Sequence, residues 1–358
     1  MKGDKPVVFN GKFLTKKNPR GVQRYSKEII CALDKIVTPL DNVKILVPIG
    51  CENIPDYKNI EVVEYGGKIT RKCWQNIAFQ WYILKKHALA VCLSDGIPFI
   101  NPGICAIHDM RFAIEKKRYK GIRRKIGNIF VLVSSRCIAK HSKRVITVSE
   151  FSKNEIIKYY HCPQEKVSVV YNAWQHLKSI QPDYGIYEKF PALSERGYFF
   201  SLGGMEASKN LKWILNVAKR NPDELFVLAG PPNQVFVIED IDWKSIKNVI
   251  RVGYITDEEI RALMMDCKAF LFPSKYEGFG IPPLEALSAG AKVLMSNATC
   301  LPEIYRNYVS YFDSDDYDVN LEELLKEKHP NAQKLLECYS WEKSAKKLKS
   351  IINEERRK

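Results

Sequence analysis

The chain has 358 residues, 46% of them hydrophobic, which is long enough for two domains with full cores and too apolar for a disordered chain. Its formal net charge of +15 points to an anionic partner: nucleic acid, an acidic membrane surface or a phosphorylated substrate. None of the ten cysteines stands at CxxC spacing, so no zinc site or redox pair is expected, and reduced thiols in a cytoplasm fit best. The start "MKGDKPVVFNGKF" lacks a signal peptide's apolar stretch, and no apolar run of about 18 residues would span a membrane.

Short apolar runs alternate with helical patterns along the first half. Pro6–Phe9, Val43–Pro48, Leu89–Ser94, Ile104–His108, Arg144–Ser149 and Lys166–Tyr171 read as strands. Val22–Ile36, Arg71–His87, Lys120–His141 and Glu150–Tyr160 read as helices. Strands that are nearly all apolar, separated by helices, predict a parallel sheet covered on both faces. The stretch Asn172–Gly197 has scattered Pro and Gly and no period, and reads as a linker. The pattern then restarts. Tyr198–Gly203, Leu225–Gly230, Val249–Gly253, Lys268–Ser274 and Ala291–Ser296 read as strands, and Asn210–Arg220, Asp257–Cys267 and Pro283–Ala289 as helices. The expectation is α/β, with two Rossmann-like doubly wound domains facing across a cleft that receives strand carboxyl ends. Its boundaries are 1–175, a linker at 176–197, 198–338, and a last helix at 339–358.

Charge concentrates in "EKKRYKGIRRK", Glu115–Lys125. There Ile122, Ile126, Ile129, Val133 and Cys137 recur at steps of three and four, one face of a helix. One reading is a core helix with a solvated basic face. The other is a basic face, around Lys116–Lys125, resting on anionic lipid headgroups or a lipid-diphosphate acceptor. No nucleic-acid-binding signature accompanies the charge, so nucleic acid is not expected as a partner.

Four stretches carry chemistry. In "SLGGMEASKNL" a strand ends at Gly203-Gly204 and Lys209 stands where the next helix begins, an arrangement that can hold phosphate. It is not a Walker A loop, because Ser208 and Asn210 occupy the required Gly and Ser/Thr places. In "CAIHDMRF" His108 ends a strand, where ligand-contacting residues gather, although a lone histidine is as often structural. In "KNPRGVQRYSKEI" Gly21 opens the first helix and would let backbone approach a diphosphate; a plain turn glycine reads the same way. In "KYEGFGIPPLEALSAG" Glu277 and Glu285 flank two glycines and a Pro-Pro pair suited to a helix start. Gly278 and Gly280 expose backbone N–H groups there, and Gly290 stops the helix.

The last stretch resembles the E-x7-E motif of the family 4 glycosyltransferases, retaining enzymes of the GT-B fold. "GVQRYSKEI", "IHDMRF", "RVITVSEFSKNEI", "VSVVYNAW", "SLGGMEASKNL" and "YSWEKSAKKL" are similar to further segments of that family, so the resemblance covers nearly the whole chain. It implies a nucleotide-sugar donor held by Gly21, Gly204, Lys209, Asn210, Glu277, Gly278, Phe279, Gly280, Ile281 and Glu285. His108, Lys209 and Glu277 would act at the reacting end, Lys209 neutralising the leaving diphosphate in place of a metal, and Glu285 would take the ribose hydroxyls. Neither a cofactor nor a metal is implied, and no side-chain base is required. Many relatives pair the lysine with an arginine. Gly204 and Ser208 stand in those places here, leaving Arg20 or Arg24 as candidates for the second charge. The most similar members are bacterial polysaccharide mannosyl- and rhamnosyltransferases. That ranks GDP-mannose first and implies a lipid-linked acceptor at the inner face of the cell membrane. Two alternatives stand beside this: a metal-dependent transferase using Asp313-Ser314-Asp315, and a non-catalytic GT-B scaffold that assists another transferase. A dehydrogenase would need GxGxxG after the first strand, which the chain lacks.

Overall fold

A computed structural model describes residues 5–16, 21–67, 73–94, 100, 102–114, 122–203, 207–230 and 246–358, apart from the side chains at 114, 122–126, 128 and 130. The chain forms two compact units. One combines Met1–Asn172 with Ser340–Lys358; the other is Ala173–Tyr339.

The first unit is built on seven parallel strands: β1 (Val7–Asn10), β2 (Val43–Pro48), β3 (Glu61–Tyr65), β4 (Leu89–Cys92), β5 (Ile104–Ala106), β6 (Arg144–Thr147) and β7 (Val167–Val169). Their order is β3-β2-β1-β4-β5-β6-β7. The strands β1, β4 and β6 are buried along their whole length, as apolar runs under helices on both faces must be. The edge strand β3 was not apparent in the sequence. Its "EVVEY" run is largely exposed, and charged residues suit an uncovered edge. The Asp34 carboxylate sets the approach to β3, accepting from the backbone N–H groups of Lys58, Asn59 and Ile60 at 2.8 Å each.

The helix Gly21–Asp34 buries Tyr25, Ile29, Ile30 and Leu33. The last helix, Trp341–Arg357, packs against it and is capped by Ser340, whose hydroxyl accepts from the Lys343 N–H at 3.1 Å. Arg144, at the start of β6, fastens that helix to the sheet. It donates to Glu354 at 2.6 Å and to Glu355 at 2.7 Å, and the Glu355 side chain is only 3% exposed.

The helix Ile122–His141 departs from its expected packing. Among its described side chains Ser134, Ile138 and Ala139 are buried, whereas Ile129 and Val133 are 58% and 56% exposed. The apolar face read as core therefore looks outward at those two positions. The basic residues at 115–121, and the side chains of Ile122–Ile126, lie outside the described residues.

The second unit has six parallel strands: β8 (Tyr198–Leu202), β9 (Leu225–Ala229), β10 (Val249–Gly253), β11 (Ala269–Phe272), β12 (Val293–Ser296) and β13 (Ser310–Phe312), in the order β10-β9-β8-β11-β12-β13. Trp213 on the helix Leu211–Arg220 stacks on Phe312 with centroids 4.0 Å apart and anchors that face of the core. A capping box of Thr256 and Glu259 starts the helix Asp257–Asp266. Residues 176–197, expected as a linker, belong to this unit and carry the short helices Gly185–Lys189 and Ala192–Glu195. They are tied down by Tyr187, whose hydroxyl donates to Asp266 at 2.8 Å and meets the Tyr198 hydroxyl at 2.7 Å. Among the described residues no helix is long and apolar enough to cross a membrane.

Arg144→Ala would leave the buried Glu355 carboxylate with Lys358, 3.0 Å away, as a remaining charged partner. Loss of about 1–3 kcal/mol is expected, read as a lower urea midpoint for the first unit by tryptophan fluorescence.

Candidate donor-binding site

In the second unit β8 and β11 lie side by side, yet the chain leaves β8 toward β9 and β11 toward β12. The loops after these two strands diverge and open a space at the strand carboxyl ends, the topological switch point of an open α/β sheet. A solvent-open pocket sits there, walled by Gly203, Lys209, Gly230, Arg251, Phe272 and Ser274 among others.

Lys209 reaches this pocket from a short turn, Ala207–Lys209, rather than from the helix itself. Asn210 takes a left-handed conformation (φ 52°), so the helix begins only at Leu211. The Asn210 amide is occupied, donating to the Ser314 carbonyl at 2.8 Å. Lys209 Nζ donates to Glu277 Oε1 at 2.6 Å and lies 5.4 Å from the centre of the Phe272 ring. The backbone of Glu277 is held by Thr299: the Glu277 N–H donates to Thr299 Oγ1 at 3.1 Å, and the Thr299 hydroxyl donates back to the Glu277 carbonyl at 3.2 Å.

The helix Ile281–Ser288 follows at once. Its start depends on Gly280 at φ +80°, a conformation that penalises side chains; a Cβ there would also lie 2.9 Å from Leu301 Cδ2. The buried Tyr305 hydroxyl fixes the turn, donating to the Gly280 carbonyl and accepting from the Leu284 N–H at 3.1 Å. Burial pushes the Tyr305 phenol well above its ordinary pKa, so it remains a donor. Phe279 is buried with its ring edge-on to Tyr339, centroids 5.5 Å apart, so its contribution to a ligand reduces to backbone. Glu285, one turn into the helix, is buried against His176, with Nε2 and Oε1 at 2.6 Å.

A family model described as "Glycosyl transferases group 1" matches residues 186–358, and one described as "Glycosyltransferase Family 4" matches residues 74–174. Together the two models take in most of the chain, which resembles this glycosyltransferase family. Over 191 residues the chain is 30% identical to the O-antigen chain mannosyltransferase B of Escherichia coli. That match takes in 49% of each protein, so the chain spans about half the length of this relative. Two solved structures are similar in fold: sucrose-phosphate synthase from Thermosynechococcus elongatus (TM-score 0.70, 15% identity, 98% of each chain) and Anabaena HepE, solved with UDP and glucose (TM-score 0.63, 14% identity, 98% of this chain and 100% of that one). The GT-B class expected from the sequence is the class found.

The chain thus carries Lys209, Asn210, Glu277, Gly278, Phe279 and Gly280 on the two loops of one switch point, Ile281 and Glu285 on the helix that follows the second of them, and His108 and Gly21 on the other unit. Gly204 lies outside the described residues. His108 Nε2 donates to the Leu93 carbonyl at 2.7 Å and its ring stands edge-on to Tyr25, centroids 4.9 Å apart. That nitrogen is committed as a donor to backbone and cannot take a proton from an acceptor. Open space lies where a Gly21 Cβ would stand. Of the two arginines named as candidates for a second positive charge, Arg20 lies outside the described residues and Arg24 is on the first unit. Arg251 on β10 is instead the cation that shares the pocket wall with Lys209 among the described residues. Asp315, from the candidate metal motif, pairs with Lys275, and Asp313 accepts from the Asp315 N–H at 2.8 Å. Sequence reading missed His176, Tyr305, Thr299 and Arg251, since none belongs to a spaced motif.

Tyr305→Phe removes the partner of both Gly280 and Leu284 inside the core. A loss of about 1–3 kcal/mol is expected, visible as a lower thermal midpoint together with weaker nucleotide binding.

Proposed function

We propose that this protein transfers a hexose, mannose in the first instance, from a nucleotide sugar to a lipid-linked oligosaccharide in O-antigen, capsule or lipopolysaccharide synthesis, with retention at the anomeric carbon and without a metal. The observation that carries the reading is the Lys209–Glu277 pair, 2.6 Å long, beside the glycine-flanked start of the helix that bears Glu285. The family-model matches and the similarity to an E. coli O-antigen mannosyltransferase support the substrate class. HepE, similar in fold, was solved with UDP and glucose, which supports a nucleoside diphosphate donor.

In this reading Lys209 exchanges Glu277 for the donor diphosphate and stabilises the charge that develops as the phosphate leaves. Glu277 is released toward the sugar hydroxyls, with the N–H groups of Gly278, Phe279, Gly280 and Ile281 beside it. Arg251 supplies the second cation, and Glu285 takes the ribose. The leaving phosphate oxygen receives the acceptor proton, so no side-chain base is needed.

We also place the enzyme at the cytoplasmic face of an anionic membrane. The first unit supports this with large apolar side chains in solvent: Ile77, Trp81 and Leu84 at helical spacing, Ile100 beside them through the two hydrogen bonds it makes with Gln80, and Ile129 and Val133. Lys85 Nζ lies 4.8 Å from the centre of the Trp81 ring, a basic group at the apolar stripe.

The deciding test is a panel of GDP-, UDP- and dTDP-sugars with the purified protein, read as released nucleoside diphosphate. GDP-mannose is expected to turn over, EDTA to leave the rate unchanged, and NMR of the product to show the donor's anomeric configuration. Lys209→Ala should cut kcat by about 10²–10³-fold. Nucleotide binding without turnover of any sugar would favour the scaffold instead. The double change Trp81→Glu, Leu84→Glu should weaken sedimentation with phosphatidylglycerol vesicles by about 10-fold or more; unaltered sedimentation would remove this surface from the membrane contact.

A further inference from the structure

The carboxylate of Glu285 does not stand alone. It and His176 are both nearly excluded from water, at 7% and 6% side-chain exposure, with Nε2 and Oε1 at 2.6 Å. A carboxylate so buried needs a donor to hold it, and the donor decides which way its oxygens face. His176 comes from the stretch that looked like linker, and its neighbours fix it from both sides. The Trp174 indole N–H donates to the Leu336 carbonyl at 3.1 Å and the Gln175 amide donates to the Tyr339 carbonyl at 2.9 Å. The guanidinium of Arg261 closes on the Leu177 carbonyl. The imidazole is therefore placed by the anchors its neighbours make to backbone carbonyls of the same unit.

We propose that His176 is the positioning residue of the nucleotide site. By donating Nε2–H to Glu285 Oε1, it turns the other carboxylate oxygen toward the ribose 2′- and 3′-hydroxyls and keeps it there. This rests on the reading of Glu285 as the ribose ligand. It adds that the grip on the ribose depends on a histidine that itself makes no contact with the donor. Preorganisation of this kind raises affinity by removing the cost of ordering the carboxylate on binding. A histidine that merely filled the core would support the fold equally for every nucleotide.

The test separates these roles with a ligand that lacks the contact. GDP, UDP and their 2′,3′-dideoxy forms are titrated calorimetrically into wild type, His176→Gln, His176→Leu and Glu285→Gln, each checked for an intact fold by circular dichroism. Wild type is expected to prefer the ribonucleotide by about 10-fold or more, the scale of a hydrogen bond to a charged group. His176→Leu should reduce that preference to about 3-fold or less, mostly by weakening the ribonucleotide, while His176→Gln, which can still donate from Nε2, retains most of it. If His176→Leu keeps the wild-type preference, the positioning role is overturned. The same holds if His176→Leu weakens the ribo and dideoxy forms equally, because that is the signature of a structural residue. If Glu285→Gln also keeps the wild-type preference, the ribose reading of Glu285 fails as well, which tells the two failures apart. Should His176→Leu not fold, His176→Asn replaces it: polar, but too short to reach Oε1, it is expected to lose the preference, and keeping it overturns the proposal.

Discussion

Parallel pairing is the constraint on which both units depend. Neighbouring parallel strands cannot be joined by a tight turn, so each strand hands the chain to a helix that returns it across a face of the sheet. All strand carboxyl ends then lie along one edge. Where the strand order reverses, between β1 and β4 and between β8 and β11, the two departing loops separate. A ligand can enter there without disturbing the core, because the backbone groups at strand ends and helix starts are not consumed by the sheet ladder. In the second unit, residues nearly seventy positions apart in sequence, such as Lys209 and Glu277, are brought to 2.6 Å by this topology alone.

Within that frame the donor site is stiffened by buried polar groups that have to find partners. Gly280 enters the helix through a conformation that leaves its carbonyl pointing inward, and the Tyr305 hydroxyl meets it while also receiving the Leu284 N–H. Glu285 and His176 satisfy one another in the same way. Thr299 clasps the Glu277 backbone on both its N–H and its carbonyl. An unmet hydrogen-bonding group in the interior is costly, so each pairing narrows the geometries available to the loop. The outcome is a pair of loops whose backbone is fixed by buried partners, with the Lys209–Glu277 pair at their less buried edge.

The first unit shows a different balance. Its interior is well covered, and the last helix is locked down through Arg144 and the two C-terminal glutamates. Yet it leaves Trp81, Leu84, Ile129 and Val133 in solvent. Single exposed apolar residues are ordinary; Trp81 and Leu84 instead stand on one helical face, with Lys85 over the Trp81 ring. The Ile122–His141 helix is informative in this respect: of its apolar period Cys137 packs on the core, while Ile129 and Val133 look outward.

Much of the architecture was legible in the residues. Apolar runs of four to six residues gave away most strands, since a strand covered on both faces can hold little else. Glycines and prolines marked where the site loops turn, and the Glu277–Glu285 stretch identified the family. The edge strand β3 escaped because an uncovered edge keeps its charges and has no apolar signature. The stretch 176–197 looked like linker because it is pinned by isolated side chains, Tyr187 among them, rather than by a periodic face. His176, Tyr305 and Arg251 became site residues only through the fold. His176 and Tyr305 meet groups distant in sequence, Arg251 reaches the pocket wall from a strand two places away in the sheet, and no local pattern records such a placement. The sequence by itself determined the class of fold and the chemistry of the donor loops, because those follow from periodicity and backbone permissiveness. Tertiary structure alone decided which polar groups brace those loops and which apolar face meets water, because both depend on what the rest of the chain covers.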